Sequence, residues 1–246
     1  MSAVLVIISG ASSGIGRALA DGVPFPDART VDMSRRGAAG CEHVAVDLAE
    51  PAGWRAASDW FAREVAGFSG ERAVFLHSAG TLEPIGFAGE VDPDAYRRNV
   101  LLNSAAPQIL GDAFLRAARQ TRAACDLVML SSGAARSVYP GWSSYGAGKA
   151  AVDQWVRTAG AEQARRGGRC RVLSVAPGVV ETPMQAQIRA TPPDSFPEVE
   201  RFVGLHASGE LRRPEDAARD VWALLLRGEF ENGAVLDLRE VAAGKP

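Results

Sequence analysis

Short runs of aliphatic and β-branched residues alternate with longer stretches of helical periodicity along nearly all of this 246-residue chain. The runs fall at residues 3–8, 30–33, 44–46, 73–77, 127–130, 172–176 and 234–238. The first is continuously apolar, as a strand buried on both faces must be. Helical patterns occupy 54–68, 93–122, 144–166 and 214–226. In 54–68, Trp54, Ala57, Phe61, Val65 and Phe68 recur about one turn apart and form an apolar stripe. Asp92-Pro93 and Arg213-Pro214 place proline at a helix start, where its missing N–H does no harm. Strands interleaved with helices predict an α/β fold: one doubly wound parallel β-sheet of about seven strands, with helices on both faces. No repeat or linker breaks the pattern, so residues 1–246 are expected to form a single domain. The one irregular stretch, 182–209, carries Pro192, Pro193 and Pro197, and a loop of that length is usually a lid or a binding segment.

Composition narrows the class. Twenty-seven basic against 29 acidic side chains give a net charge of -2, which leaves no electrostatic footprint for nucleic acid or an anionic membrane. Arg116, Arg119 and Arg122 do form a stripe at one-turn spacing, but solvated helix faces make such stripes routinely. No segment reaches the roughly 20 apolar residues of a membrane span. The apolar start has no basic flank of a signal peptide, and Cys41, Cys125 and Cys170 show neither disulfide nor metal-ligand spacing. A cytoplasmic protein is expected.

The chemistry begins after the first strand, at Ser9-Gly10-Ala11-Ser12-Ser13-Gly14-Ile15-Gly16. Glycines there permit a tight turn and close approach of the backbone to a pyrophosphate, whose charge the N-terminus of the following helix stabilises. The turn is therefore a candidate dinucleotide site in a Rossmann fold. Its spacing is G-x-x-x-G-x-G, and further landmarks follow in order. They are Asp47-Leu48; His77-Ser78-Ala79-Gly80; Asn103; Ser132; Tyr145 with Lys149 four residues on; and Pro177-Gly178 followed by Val180 and Thr182. In this set the chain resembles the short-chain dehydrogenase/reductase family. The segment from Ala79 to Gly86 looks closest to its sepiapterin reductase and benzil reductase branch. His77-Ser78 departs from the Asn-Asn usual in the family at those positions.

The resemblance implies a nicotinamide-dependent oxidoreductase with Asn103, Ser132, Tyr145 and Lys149 as its catalytic set. Lys149 lies one helical turn from Tyr145, and its charge is expected to favour the phenolate. Ser132, at the end of a strand, is positioned to hydrogen-bond a carbonyl oxygen as negative charge develops there. By resemblance, Lys149 also binds the nicotinamide ribose and Asn103 holds a water that returns protons to it. The implied cofactor contacts are Gly10, Ser12, Ser13, Gly14, Ile15, Gly16, Asp47, Leu48, Ser78, Ala79, Gly80, Tyr145, Lys149, Pro177, Gly178, Val180 and Thr182.

Cofactor choice turns on Val31-Asp32-Met33-Ser34-Arg35-Arg36. With Asp32 inside the second strand and Ser34-Arg35-Arg36 at its mouth, two guanidinium forks would meet a 2′-phosphate, which favours NADPH. Pro24 and Pro26 cut the preceding helix short, and a slipped register would instead present Asp32 to a ribose 2′-hydroxyl and favour NADH. For a substrate, Leu82, Ser132, Tyr139, Trp142, Tyr145 and Met184 are the expected contacts. Pro84 and Ala134 lie on the same wall. The covering loop 182–211 adds Ile188, Phe196, Phe202, Val203 and Leu205, together with Arg189, Glu200 and Arg201. That mixture suits a small or medium, partly apolar carbonyl compound.

The expected activity is thus NADPH-dependent reduction of a ketone or diketone. An NAD-dependent alcohol dehydrogenase and a cofactor-binding sensor or scaffold without turnover remain the alternatives. The resemblance also implies a homodimer or homotetramer built on the helices at 93–122 and 144–166. Ala105, Ala106, Ala147, Ala150 and Ala151 would allow close packing there.

Overall fold

In the computed structural model, which describes residues 3–242, seven strands form one parallel sheet in the order β3-β2-β1-β4-β5-β6-β7. They are β1 (Val4–Ser9), β2 (Arg29–Ser34), β3 (Glu42–Ala45), β4 (Arg72–His77), β5 (Ala124–Leu130), β6 (Cys170–Ala176) and β7 (Val235–Asp237). Strand order reverses between β1 and β4, so a crevice opens beyond their carboxyl ends, where ligands bind such sheets.

Alternate residues of the strands feed two cores. Leu5, Ile7, Met33, Phe75 and Leu127 face one side, where α2 (Pro51–Trp60), α4 (Ala106–Ala118) and α5 (Ser143–Arg165) pack. Val6, Ile8, Val74, Leu76 and Val128 face the other, covered by α1 (Gly14–Asp21) and α8 (Pro214–Arg227). There the Trp222 indole donates to the Leu19 carbonyl at 3.1 Å, tying α8 to α1.

The helices differ from the sequence expectation in instructive places. The pattern at 54–68 is a helix from Pro51 that widens to a π turn over Phe61–Val65. The pattern at 93–122 is not one helix. It is α3 (Pro93–Val100), a π segment Leu101–Ala105, and α4, which ends at Ala118. Pro107 has no N–H to give to the carbonyl of Asn103, so an unbroken α-helical ladder cannot run through that point.

The stretch 182–209, expected to be irregular, holds two short helices, α6 (Pro183–Arg189) and α7 (Val199–Ala207). Thr182 caps the first by accepting from the Gln185 N–H at 3.3 Å, with Pro183 at the tolerated first position. Pro192, Pro193 and Pro197 fall in the connection between the two. Phe196 and Phe202 are buried from this segment against Trp142, and a short α9 (Leu238–Ala242) follows β7. Among the described residues no helix is long and apolar enough to cross a membrane, and no cluster of His, Cys, Asp or Glu could hold a metal ion.

The Phe61 side chain is fully buried, 5.0 Å from the Phe75 ring and 5.6 Å from that of Phe114. Phe61→Ala removes a ring that its neighbours cannot replace and should cost about 3–5 kcal/mol, read as a lowered denaturation midpoint by circular dichroism.

Candidate active site

The turn after β1 is held by close approach on both sides. Gly10 and Gly14 have φ of +74° and +56°, the region open to glycine. A Cβ on Gly10 would lie 2.9 Å from the Ala79 α-carbon, and one on Gly16 would lie 2.2 Å from the Gly10 carbonyl oxygen. The glycines therefore let α1 and the loop after β4 close onto the same turn. The Ser9 hydroxyl, fully buried, accepts from the N–H groups of Ser78 and Ala79 at 3.1 and 3.2 Å. With its oxygen so engaged, it gives its proton to His77 Nδ1, 3.0 Å away. His77 is thus part of the frame below the turn. Burial, with a further push from the Lys149 charge, brings its pKa down to about 3, so the imidazole is neutral.

Register at β2 decides which of its residues faces the crevice. Ile8 pairs with Asp32 and Ser9 with Met33, so the slip that Pro24 and Pro26 could have caused does not occur. Asp32 is fully buried and turned inward, accepting from the Ala11 N–H at 3.0 Å and the Ser34 hydroxyl at 2.7 Å. Arg35 and Arg36 lie exposed at the strand's mouth and line the cleft. The Ser34 hydroxyl also accepts from the Gly37 N–H, which ties the turn that carries both arginines. Asp47 and Leu48 line the same end. The Asp47 carboxylate is engaged by the Ala49 N–H at 2.9 Å and by Arg98 at 3.2 Å. Arg98, which also pairs with Glu50, is a cleft residue that sequence reading missed. Its only signal is an arginine on a helix far along the chain.

The cleft runs from these arginines past the glycine turn to Tyr139 and Phe202 and has a volume of about 720 Å³. Gly10, Ser12, Ser13, Gly14 and Ile15, then Ser78, Ala79 and Gly80, line its middle, with Pro177, Gly178, Val180 and Thr182 across from them. Gly16 stands behind, as the spacer described above. A turn closed to a Cβ at Gly10 and Gly16, beside a helix N-terminus and with a groove on either side, fits an extended dinucleotide.

Three of the four expected catalytic side chains line the cleft together. Ser132 lies two residues past β5, while Tyr145 and Lys149 occupy the first two turns of α5. Tyr145 and Lys149 are buried, at 7% exposure each. The Lys149 ammonium donates to the Leu130 carbonyl at 2.8 Å and lies 5.7 Å from the Tyr145 ring centre. The lowering of the Tyr145 pKa expected from Lys149 does not appear as the net result. Burial raises the Tyr145 pKa above 10, and the opposing influence is the hydrogen bond with Ser132. Desolvation brings Lys149 itself down to about 8, against the pull of Asp153 one turn further along the helix. Asp153 is buried and accepts from the Ser174 hydroxyl at 2.6 Å.

Asn103 sits in the π segment, beneath the cleft. Its side chain accepts from the Thr81 N–H at 3.1 Å and donates to the Thr81 carbonyl at 2.7 Å. It therefore fastens the loop after β4, while its Nδ2 also donates to Asn99 Oδ1 at 2.8 Å, so its amide is committed to these partners rather than to Lys149. A Cβ on Gly80 would lie 2.9 Å from Asn103 Oδ1 and 3.8 Å from Lys149 Nζ, so both side chains converge on that glycine. At the far end Leu82, Trp142, Tyr145, Ile188, Phe196 and Phe202 form a third apolar cluster. Tyr139 and Met184 pack against it, and both line the cleft. Gln185 and Arg239 also line it and were not foreseen, because α6 and α9 reach the cleft only through the tertiary fold.

Comparison with known proteins agrees with this geometry. Residues 4–193 match the family model for short chain dehydrogenase. A benzil reductase ((S)-benzoin forming) of Bacillus subtilis (strain 168) is 32% identical over 246 residues, covering 96% of this chain and 98% of its own. Rattus norvegicus sepiapterin reductase is 31% identical over 175 residues, 70% of this chain and 64% of that one. A short chain dehydrogenase/reductase from Saccharomyces cerevisiae superposes with a TM-score of 0.81 at 24% identity, covering 97% of both chains. The parallel sheet with its glycine turn and the match across most of the chain lead to one assignment: the chain belongs to the short chain dehydrogenase family of oxidoreductases.

Proposed function

We propose that this protein is an NADPH-dependent carbonyl reductase that converts a small or medium, partly apolar ketone or diketone to the alcohol. The observation that carries this is the meeting of Ser132, Tyr145 and Lys149 in the cleft beside the glycine turn. The benzil reductase relatives, whose names specify formation of (S)-benzoin, support a diketone as the class of substrate. A bound nicotinamide supplies the hydride.

Tyr145 is the proton donor. A phenol whose pKa is raised by burial keeps its proton at neutral pH, as donation to a carbonyl oxygen requires. Ser132 hydrogen-bonds the same oxygen and stabilises charge as it develops. When Tyr145 gives up its proton, the Lys149 ammonium is the nearby cation that stabilises the phenolate in this dry site. Asn103 holds the loop carrying Gly80 and Thr81 in place beside Lys149, and its carbonyl lacks the α-helical donor that Pro107 cannot supply. A water held there would pass protons from solvent to the ammonium.

The remaining residues bind. Gly10 to Gly16, Ser78 to Gly80, Asp47, Leu48, Pro177, Gly178, Val180 and Thr182 would hold the dinucleotide. Arg35 and Arg36 have no carboxylate within 4 Å among the described residues and would take its 2′-phosphate. Leu82, Tyr139, Trp142 and Met184 would wall the substrate, with α6 and α7 as its cover. A homodimer or homotetramer would use α4 and α5, where Ala147 and Ala150 are exposed; Ala106 is instead spent on this subunit's own core.

Three outcomes test the reading. Tyr145→Phe should lower NADPH-dependent reduction of benzil by about 10²–10⁴-fold while NADPH still binds, as followed by nicotinamide fluorescence. Arg35→Ala with Arg36→Ala should weaken NADPH binding by about tenfold or more with little change for NADH; equal losses would contradict the 2′-phosphate assignment. The reduction rate should fall as pH rises through about 8, because Lys149 loses the proton that makes it a cation. A pH–rate profile flat to pH 9.5 would remove Lys149 from that role.

A further inference from the structure

Two ends of the cleft carry guanidinium groups that make no ion pair within 4 Å among the described residues, although the Arg35 charge is felt by Asp47. One is the Arg35 and Arg36 pair. The other is Arg201, on α7 at the substrate end. The remaining arginines nearby are matched: Arg98 pairs with Asp47 and Glu50, while Arg239 and Arg136 share Asp237 and reach towards Glu240. Arg201 has no carboxylate within 4 Å among the described residues, yet it is not a loose surface chain. Its Nη1 donates to the Tyr139 hydroxyl oxygen at 2.9 Å. Its guanidinium also lies over two aromatic rings, 5.9 Å from the centre of Tyr139 and 5.6 Å from that of Phe202. Stacking and the phenol bond together set where this cation stands.

The position carries chemical information. Tyr139, Trp142 and Tyr145 form a row, with ring centres 4.9 Å apart for the first pair and 5.7 Å for the second. Arg201, over the Tyr139 ring, therefore stands at the end of this row away from Tyr145, with the Trp142 indole between the two phenols. The Tyr139 oxygen accepts from Arg201, so its own proton is left to donate to another group in the cleft. A substrate spanning this row has a carbonyl at Tyr145, an aromatic or apolar body along Trp142, and its far edge beside a guanidinium and a phenol O–H. Both groups donate hydrogen bonds, and one is charged.

We propose that Arg201, with the Tyr139 hydroxyl, is a specificity subsite for a carboxylate on the end of the substrate remote from the reacting carbonyl. The preferred substrates are then aryl ketones or diketones bearing an acidic substituent on the distal ring. This rests on the carbonyl reductase reading above and adds to it the charge and the position of the second recognition point. The exposed setting limits the effect: a charge-assisted pair at the mouth of a cleft is partly screened by water and salt.

The test compares 4-carboxybenzil with its methyl ester, which have the same skeleton and reacting carbonyls but differ in charge at the distal ring. The wild type should show kcat/KM about tenfold higher for the acid, and the preference should shrink as salt is raised. In Arg201→Leu the ratio of acid to ester should fall to about one, with Arg201→Lys between. Packing lost with the guanidinium lowers both substrates alike and cancels in the ratio. A wild-type ratio near one, or a preference that survives in Arg201→Leu, overturns the subsite. Dissociation constants for the acid and the ester, measured calorimetrically with NADP⁺ present, yield the same ratio without turnover. Failure to reduce benzil or either derivative, with the tenfold binding preference intact, would sink the reductase reading alone. Reduction of benzil with no acid preference would sink the subsite alone.

Discussion

The approach of Gly10 to Ala79 governs much of what happens in this molecule. The two backbones meet where strand order reverses, so closely that a single methyl group on Gly10 would collide with the Ala79 α-carbon. The Ser9 hydroxyl then collects the N–H groups of Ser78 and Ala79, and α1 descends onto the turn because Gly16 has no side chain to obstruct it. The glycine turn and the loop after β4 are therefore fastened to each other. From that loop, Thr81 reaches Asn103, and Gly80 spaces Asn103 from Lys149. The glycine turn and α5 are thus connected through close backbone approach and two buried polar side chains, Ser9 and Asn103.

Against that frame the buried ionisable groups acquire their character. Of the 27 basic residues only Lys149 and Lys245 are lysines; elsewhere the chain uses arginine, whose charge cannot be removed in a protein. Moving the Lys149 pKa from 10.5 to about 8 corresponds to a penalty on the charged form on the order of 3 kcal/mol. The Leu130 carbonyl and the Asp153 carboxylate oppose it and keep the ammonium charged at neutral pH. Tyr145 is shifted the other way by the same burial. Tyr145 therefore holds its proton at neutral pH, with the Lys149 ammonium as the adjacent cation.

The apolar cluster at the far end has a different origin. Leu82, Trp142, Ile188, Phe196 and Phe202 come from separated parts of the chain and form a cluster distinct from the two that flank the sheet. Trp142 stacks on Phe196 with ring centres 4.5 Å apart and planes 10° from parallel. Thus aromatic packing at the cleft, together with Arg189 and His206 on Glu181, attaches α6 and α7 to the body. Of the side chains that pack these helices onto the body, Leu82, Trp142, Ile188 and Phe202 thus also line the cleft.

Much of this was legible from residue order. The alternation of apolar runs with helical stripes was enough for a doubly wound parallel sheet, because strands buried on both faces leave continuous runs of Val, Leu and Ile. The glycine spacing, Ser132, and Tyr145 with Lys149 one turn later marked the site, since short-range geometry fixes a turn and a helix face. The π segment at Asn103 was visible only as Pro107, and the two helices after Thr182 were masked by the prolines between them. What the tertiary structure decided were quantities set by neighbours distant in sequence. Register placed Asp32 inward and Arg35 outward; burial, not the lysine charge, set the direction of the Tyr145 pKa; and packing brought Arg98, Gln185 and Arg239 to the cleft. Local pattern determines which elements form, because it depends on each residue's own backbone and its near neighbours. The electrostatic state of a group depends on what surrounds it in three dimensions, and that exists only once the sheet has assembled.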